Sequence, residues 1–225
     1  MKCCCYETET EFIYCVEGAQ GKFFKILQAD PYWTKNDGDK FIKIYRTDLG
    51  WDDAWYLVPG YKEKIADNFA RFGRAWIEGV FDWEKVMLTL AQKFAENGIE
   101  WYIIGSSSEA VLGVDIRPHD IDIAVHTGDF YKVRDLFFDY TMEPLGDNKG
   151  SWLVRYFGKL CIDGASVDIA ADEKLNLENR TTSCDKVKWS GYDVFIEPLQ
   201  ARYEVEIQRG RKDRIRAIEK YMCKV

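Results

Sequence analysis

A mixed α+β fold is what this sequence predicts, on three observations. Short segments rich in Phe, Ile, Tyr and Val, broken by glycines, crowd the stretch before Pro59. From Trp101 onward, apolar strands alternate with helical stretches, and two helices finish the chain. Hydrophobic residues make up 47% and charged residues 31% of the 225, the balance of a packed domain and not of a disordered one.

The elements follow in order. Glu11 to Glu17 and Lys22 to Gln28, separated by Gly18 and Gly21, read as a hairpin. Phe41 to Arg46 and Ala54 to Val58 continue the β character, punctuated by Gly38, Gly50 and Pro59. From Tyr61 to Gly79 the pattern turns helical. In the next helix Trp83, Val86, Met87, Leu90, Ala91 and Phe94 recur at three and four residues, and Asn97-Gly98 closes it. There follow a strand Trp101 to Ile104, a helix Ser107 to Leu112, a strand Asp120 to Val125 and a helix Asp129 to Phe138. Two or three strands lie within Trp152 to Phe157, Leu160 to Ile162 and Ser166 to Ala170. Val187 to Ile196 reads as a strand, or as a hairpin turning at Gly191, before helices Leu199 to Gln208 and Arg211 to Met222. The organisation predicted is an N-terminal α+β extension over 1–80 and a catalytic unit with C-terminal helices over 81–225, the seam falling between Gly60 and Asp82.

Composition narrows the function. The longest apolar runs are too short to span a bilayer and no charged-then-apolar leader opens the chain, so a cytoplasmic protein without membrane partners is expected. Seven cysteines, an odd number scattered through apolar stretches, suit reduced thiols. Cys3, Cys4 and Cys5 are adjacent and cannot easily converge on one tetrahedral ion, so they read as a frayed or strand-forming, thiol-rich start and not a zinc site. A formal net charge of −7 disfavours a nucleic-acid-coating protein and suits a cationic small acceptor. A basic run (Arg209, Arg211, Lys212, Arg214, Arg216 and Lys220) stands out near the C-terminus.

The chemistry concentrates around Asp120-Ile121-Asp122. In a strand, Ile121, Ile123 and Val125 face one side, the core, while Asp120, Asp122 and His126 face the other. Two carboxylates roughly 6.5–7 Å apart on one face repel each other and raise each other's pKa. A magnesium or manganese ion resolves that conflict and leaves positions for phosphate; a solvated polar edge is the alternative. Gly105 follows Tyr102-Ile103-Ile104, where a residue lacking a side chain lets phosphate approach a helix start. Ser106 can donate to a phosphate oxygen, or form a capping box with Glu109. A third carboxylate is expected at Asp168, between core-facing Val167 and Ile169; Asp163 is the alternative, although Asp163-Gly164 reads as a turn.

Ile103-Ile104-Gly105-Ser106, Asp120-Ile121-Asp122 and Asp168 together resemble the nucleotidyltransferase superfamily, whose core is similar to the polymerase-beta catalytic domain. Arg117-Pro118-His119-Asp120 and Arg209-Gly210-Arg211-Lys212-Asp213 look like the aminoglycoside and lincosamide adenylyltransferase branch and related uncharacterised bacterial proteins. The resemblance covers about Glu100 to Met222; residues 1–80 match no family motif.

The resemblance implies a nucleotidyltransferase-like core with a small mixed sheet flanked by helices. It implies that Asp120, Asp122 and Asp168 are the catalytic, metal-binding carboxylates, with Asp168 taking the proton of an acceptor hydroxyl. Gly105, Ser106, Arg117, His119, Arg211 and Lys212 become the nucleotide-binding candidates. Arg117 alternatively pairs with Asp115 or a strand-end carbonyl, and Arg211 and Lys212 alternatively form a solvated helix face with Asp213. His126 is a rim residue. The implied substrates are a nucleoside triphosphate, ATP by expectation, and a small hydroxylated acceptor such as an antibiotic. The alternatives are a toxin-type transferase acting on tRNA or protein, and a catalytically silent antitoxin-like binding module.

Overall fold

The computed structural model describes residues 1–36, 40–46, 60–79, 81–149, 153–174 and 184–224. The predicted strand Ala54 to Val58 and the start of the one at Trp152 lie outside them. Two sheets organise the chain. The first joins β1 (Lys2–Glu7), β2 (Glu11–Glu17), β3 (Thr34–Asn36) and β4 (Lys40–Arg46) in the order β1-β2-β4-β3, every pair antiparallel. The hairpin is therefore β1–β2. The predicted second arm, Lys22 to Gln28, is instead the helix α1 (Gly21–Ala29). Its Phe and Ile residues have strand propensity, but Phe23 and Leu27 are one helical turn apart and both are buried. Phe23 packs on Phe72 and Trp76 of α2 (Tyr61–Glu78), with centroids 6.2 and 5.6 Å away, and tertiary burial decides the conformation.

The second sheet contains β5 (Trp101–Ile104), β6 (Ile121–Val125), β7 (Thr141–Asp147), β8 (Tyr156–Ile162), β9 (Ala165–Ala171), β10 (Asp185–Trp189) and β11 (Tyr192–Ile196). Their order is β10-β11-β5-β6-β9-β8-β7, mixed in direction, with β11–β5 and β6–β9 parallel. β7 has no counterpart in the sequence prediction. It contains Pro144 and Gly146, poor strand formers, and pairs with β8 through two register shifts.

Helices cover the sheet. α3 (Trp83–Glu96), capped by the Asp82 carboxylate accepting from the Lys85 amide, and α5 (Phe130–Leu136) bury one face. There Val86, Leu90 and Phe94 meet Ile103, Ile121, Ile123, Val125, Val167 and Ile169. The strand parity expected for β6 and β9 is the one observed. α4 (Gly105–Leu112), α6 (Leu199–Gln208) and α7 (Lys212–Met222) gather at the β5 side. α2 lies between the two sheets, packed on β1 and on β7 and β8. Its Asn68 donates to the Asp139 and Thr141 carbonyls, and the Tyr14 hydroxyl of β2 donates to the Met142 carbonyl at 2.6 Å. The N-terminal segment is thus welded to the sheet that carries the carboxylates. All seven cysteines are free thiols, and burial pushes Cys3 up to about 11 and Cys5 to about 12. No helix among the described residues is long and apolar enough to cross a membrane.

Candidate active site

The site grows from the junction of β5 and α4. Gly105 sits there with φ +66°, the left-handed region, and a Cβ on it would stand 2.5 Å from Asp122 Oδ2. Both the backbone turn and the closeness of the carboxylate require glycine. α4 begins two residues earlier than the sequence predicts and has no side-chain cap, its N-cap position being Ile104. The capping box with Glu109 does not form, because Glu109 points into a buried ion cluster. Ser107 Oγ donates to the Asp120 carbonyl at 3.2 Å, which ties the helix start to the entry of β6. The Gly105 amide donates to Glu197 Oε2 at 3.3 Å.

Beside this turn, Asp120 and Asp122 are both held above the ordinary carboxylate range. For Asp120 the cause is burial, then the charge of Asp168; for Asp122, pushed up to about 7, it is burial, then Asp120 and Asp168. Asp168 is the register partner of Asp122 across the parallel β6–β9 pair. Lys159 Nζ lies 2.5 Å from Asp168 Oδ2, and Ser166 Oγ donates to Oδ1 at 3.0 Å. Burial opposes the Lys159 charge, but Asp168 and Glu143 on either side outweigh it and hold the ammonium above the usual lysine value. Glu143 in turn accepts from Lys43 at 2.9 Å, so charges alternate in a row from the first sheet to the carboxylates. Asp163, the alternative third carboxylate, lies in the β8–β9 turn with φ +49° and pairs with Lys85 at 2.8 Å.

A cleft of ≈ 560 Å³ opens over these groups, bordered by Gly105, Ser106, His119, Asp120 and Asp122, with Ile26 and Trp76 from the N-terminal segment opposite. Arg202, Arg209, Arg211 and Arg214 complete its rim. Arg202 is buried in the cluster that orders this side. Its Nε donates to Glu109 Oε1 at 2.9 Å and Nη2 to Glu206 Oε1 at 2.5 Å, and Nη1 lies 3.5 Å from Glu197 Oε2. Arg211 approaches Glu206 of α6 at 3.5 Å and Arg214 approaches Glu109 of α4 at 3.8 Å.

The cleft therefore unites Gly105, Ser106, His119, Asp120, Asp122 and Arg211. Asp168 stands in register with Asp122 but does not line the cleft, and Lys212 is exposed outside it. Arg117 donates to the Phe81 carbonyl at 2.6 Å and borders a neighbouring cavity. His126 bonds Glu100 at 2.9 Å on the rim of the sheet. Sequence reading passed over Lys159, Arg202, Trp76, Ile26 and Lys22. Strand parity with Asp168 is the signal for Lys159, and the four-residue spacing to Glu206 is a weak one for Arg202. Among the described residues no group of three His, Cys, Asp or Glu side chains is placed to hold a metal ion.

No protein-family model matches the chain, and no curated protein does either. Among solved structures, a protein of Thermotoga maritima described as a candidate nucleotidyltransferase is similar at 19% identity, covering 64% of this chain and 94% of that one, with a TM-score of 0.46. ANT(2″)-Ia in complex with adenylyl-2″-tobramycin is similar at 13% identity, over 62% of this chain and 89% of that one, with a TM-score of 0.44. An antigenic nucleotidyltransferase-like protein from Paracoccidioides brasiliensis is similar at 18% identity, over 60% and 72%, with a TM-score of 0.40.

Proposed function

We propose that the chain is a nucleotidyltransferase that moves a nucleoside monophosphate from a nucleoside triphosphate to the hydroxyl of a small acceptor. The observation that carries this reading is the crowding of Asp120 and Asp122, both with raised proton affinity, beside a side-chain-free turn in a cleft rimmed by four arginines. Two carboxylates that repel each other when charged fit a hard divalent cation, and the arginine forks fit a polyphosphate. Magnesium or manganese, held by Asp120 and Asp122 with Asp168 beside them, would neutralise phosphate charge and polarise the phosphorus when bound.

The remaining work falls to the chain's own residues. Ser106 and the start of α4 offer hydrogen-bond donors to the triphosphate. Arg209, Arg211 and Arg214 receive the charge that accumulates on the leaving pyrophosphate. Asp168, ion-paired to Lys159, accepts the proton of the acceptor hydroxyl. That oxygen bonds to the α-phosphorus as the bond to pyrophosphate breaks.

The test combines thermal shift and pyrophosphate release with ATP, GTP, CTP and UTP, each with magnesium. At least one nucleotide is expected to raise the melting temperature in a magnesium-dependent way, saturation adding a few kcal/mol of stability. Asp120→Asn and Asp122→Asn should each abolish the magnesium-dependent part and the release. Full release in both variants, or no magnesium-dependent shift with any nucleotide, refutes the reading; the second result is the one expected of a silent binding module.

A further inference from the structure

Two cavities share a wall. Trp76 and His119 border both the carboxylate cleft and a second cavity of ≈ 260 Å³. On α1, Lys22 faces the second cavity and Ile26, one helical turn on, faces the cleft, so one helix closes both. The second cavity is lined by the aromatic rings of Trp76 and Phe81 together with the cations Lys22 and Arg117. Lys22 Nζ lies 5.7 Å from the Trp76 ring centroid and 3.3 and 3.4 Å from the two ring nitrogens of His119. Arg117 spends one N–H on the Phe81 carbonyl, which fixes its guanidinium and leaves other donors free to bind.

Several buried or half-buried cations of the fold keep a carboxylate close. Lys43, Lys159 and Arg202 each have a carboxylate within 3 Å. Among the described residues neither Lys22 nor Arg117 has a carboxylate partner, and no Asp or Glu lines the cavity. In a chain of net charge −7, that is a local positive site against the overall field. Its volume is below the usual range for a drug-sized ligand, which suits a single ring and not a multi-ring polycation.

We infer that this cavity is the acceptor subsite, and that it selects a hydroxylated, single-ring acceptor bearing a carboxylate. The ring lies against Trp76 and Phe81, the carboxylate meets the Arg117 fork and the Lys22 ammonium, and the hydroxyl extends past His119 into the cleft. The assignment as an acceptor site rests on the transferase reading; the preference for an anion does not. It reverses the cationic acceptor that the net charge suggests.

Three probes of matched size separate the possibilities: 4-hydroxyphenylacetate, its uncharged amide 4-hydroxyphenylacetamide, and the amine tyramine. Titration calorimetry on the full chain without nucleotide should find the carboxylate bound about tenfold or more tighter than the amide, the effect of one charge-assisted contact, and the amine weakest. Lys22→Gln and Arg117→Gln should each bring the carboxylate to the affinity of the amide, while Arg117→Lys should retain part of the preference. Equal binding of all three, a preference for tyramine, or a carboxylate preference untouched in both glutamine variants overturns the inference. So does a protein that releases pyrophosphate no faster with the carboxylate than with the amide. Loss of magnesium-dependent nucleotide binding falls on the transferase reading alone, because the anion preference is measured without nucleotide.

Discussion

Replacing Asp122 by Asn should make the metal-free protein more stable, and only above mildly acidic pH. Asp122 is held at about 7 against an ordinary value of 3.8, by burial first and then by Asp120 and Asp168. Between those two values the folded state binds more protons than the unfolded state, so stability falls as pH rises from about 4 to about 7 and levels off above. A shift of roughly 3 units corresponds to about 4 kcal/mol. Because three carboxylates share the repulsion, about half of that, on the order of 2 kcal/mol, is a fair expectation for removing one charge. For a chain of this size that is roughly 4–8 °C in melting temperature. Thermal unfolding of wild type and Asp122→Asn in magnesium-free buffer at pH 4.5 and pH 8 reads it directly. The variant should gain at pH 8 and much less at pH 4.5, and magnesium should stabilise wild type at pH 8 but not the variant. A variant no more stable than wild type at pH 8, or one with the same gain at both pH values, refutes the claim that Asp122 carries an unfavourable buried charge.

Other substitutions probe the frame around it. Gly105→Ala should cost about 1–3 kcal/mol, from a left-handed backbone and a Cβ only 2.5 Å from Asp122 Oδ2, and should depress pyrophosphate release beyond what unfolding explains; denaturant titration beside a rate assay checks both. Arg202→Met should cost up to about 3–5 kcal/mol by guanidinium unfolding, because the buried Glu109 and Glu206 lose their nearest cation and keep only Arg214 at 3.8 Å and Arg211 at 3.5 Å. In the same denaturation, combining Arg202→Met with Glu109→Gln should recover part of that loss.

Much of the site was legible because strand parity is a two-state code. Ile121, Ile123 and Val125 had to share a face, so Asp122 took the other, and Val167 and Ile169 dictated the same for Asp168. The same code reaches Lys159, which alternates with Leu160 on β8. It was lost by treating Leu160 to Ile162 as a separate short strand, when the strand begins at Tyr156. α1 departs from the prediction because the four-residue spacing of Phe23 and Leu27 outweighs the strand propensity of Phe and Ile. Arg202 and Glu109 are 93 positions apart, and no local pattern announces a contact that only the packing of α6 on α4 creates.

The net charge of the whole chain and the charge around one cavity are different quantities. A charge of −7 describes the field far from the molecule, yet salt screens exposed charges beyond about 8 Å at physiological ionic strength. A ligand inside a cavity responds to the groups within that radius. Around His119, beside its chain neighbour Asp120, stand Lys22, Arg214 and Arg117, and after burial it is these cations that hold the imidazole below its ordinary value. The N-terminal segment supplies Lys22, along with Ile26 and Trp76 on the walls. On the proposed reading, the segment before residue 81 sets the local charge where an acceptor would enter, while the strands that carry the carboxylates set the chemistry. Exchanging Lys22 for Glu should, on that argument, change which acceptors bind without moving the magnesium dependence of nucleotide binding. A change in the magnesium dependence instead would mean that α1 belongs to the phosphate site.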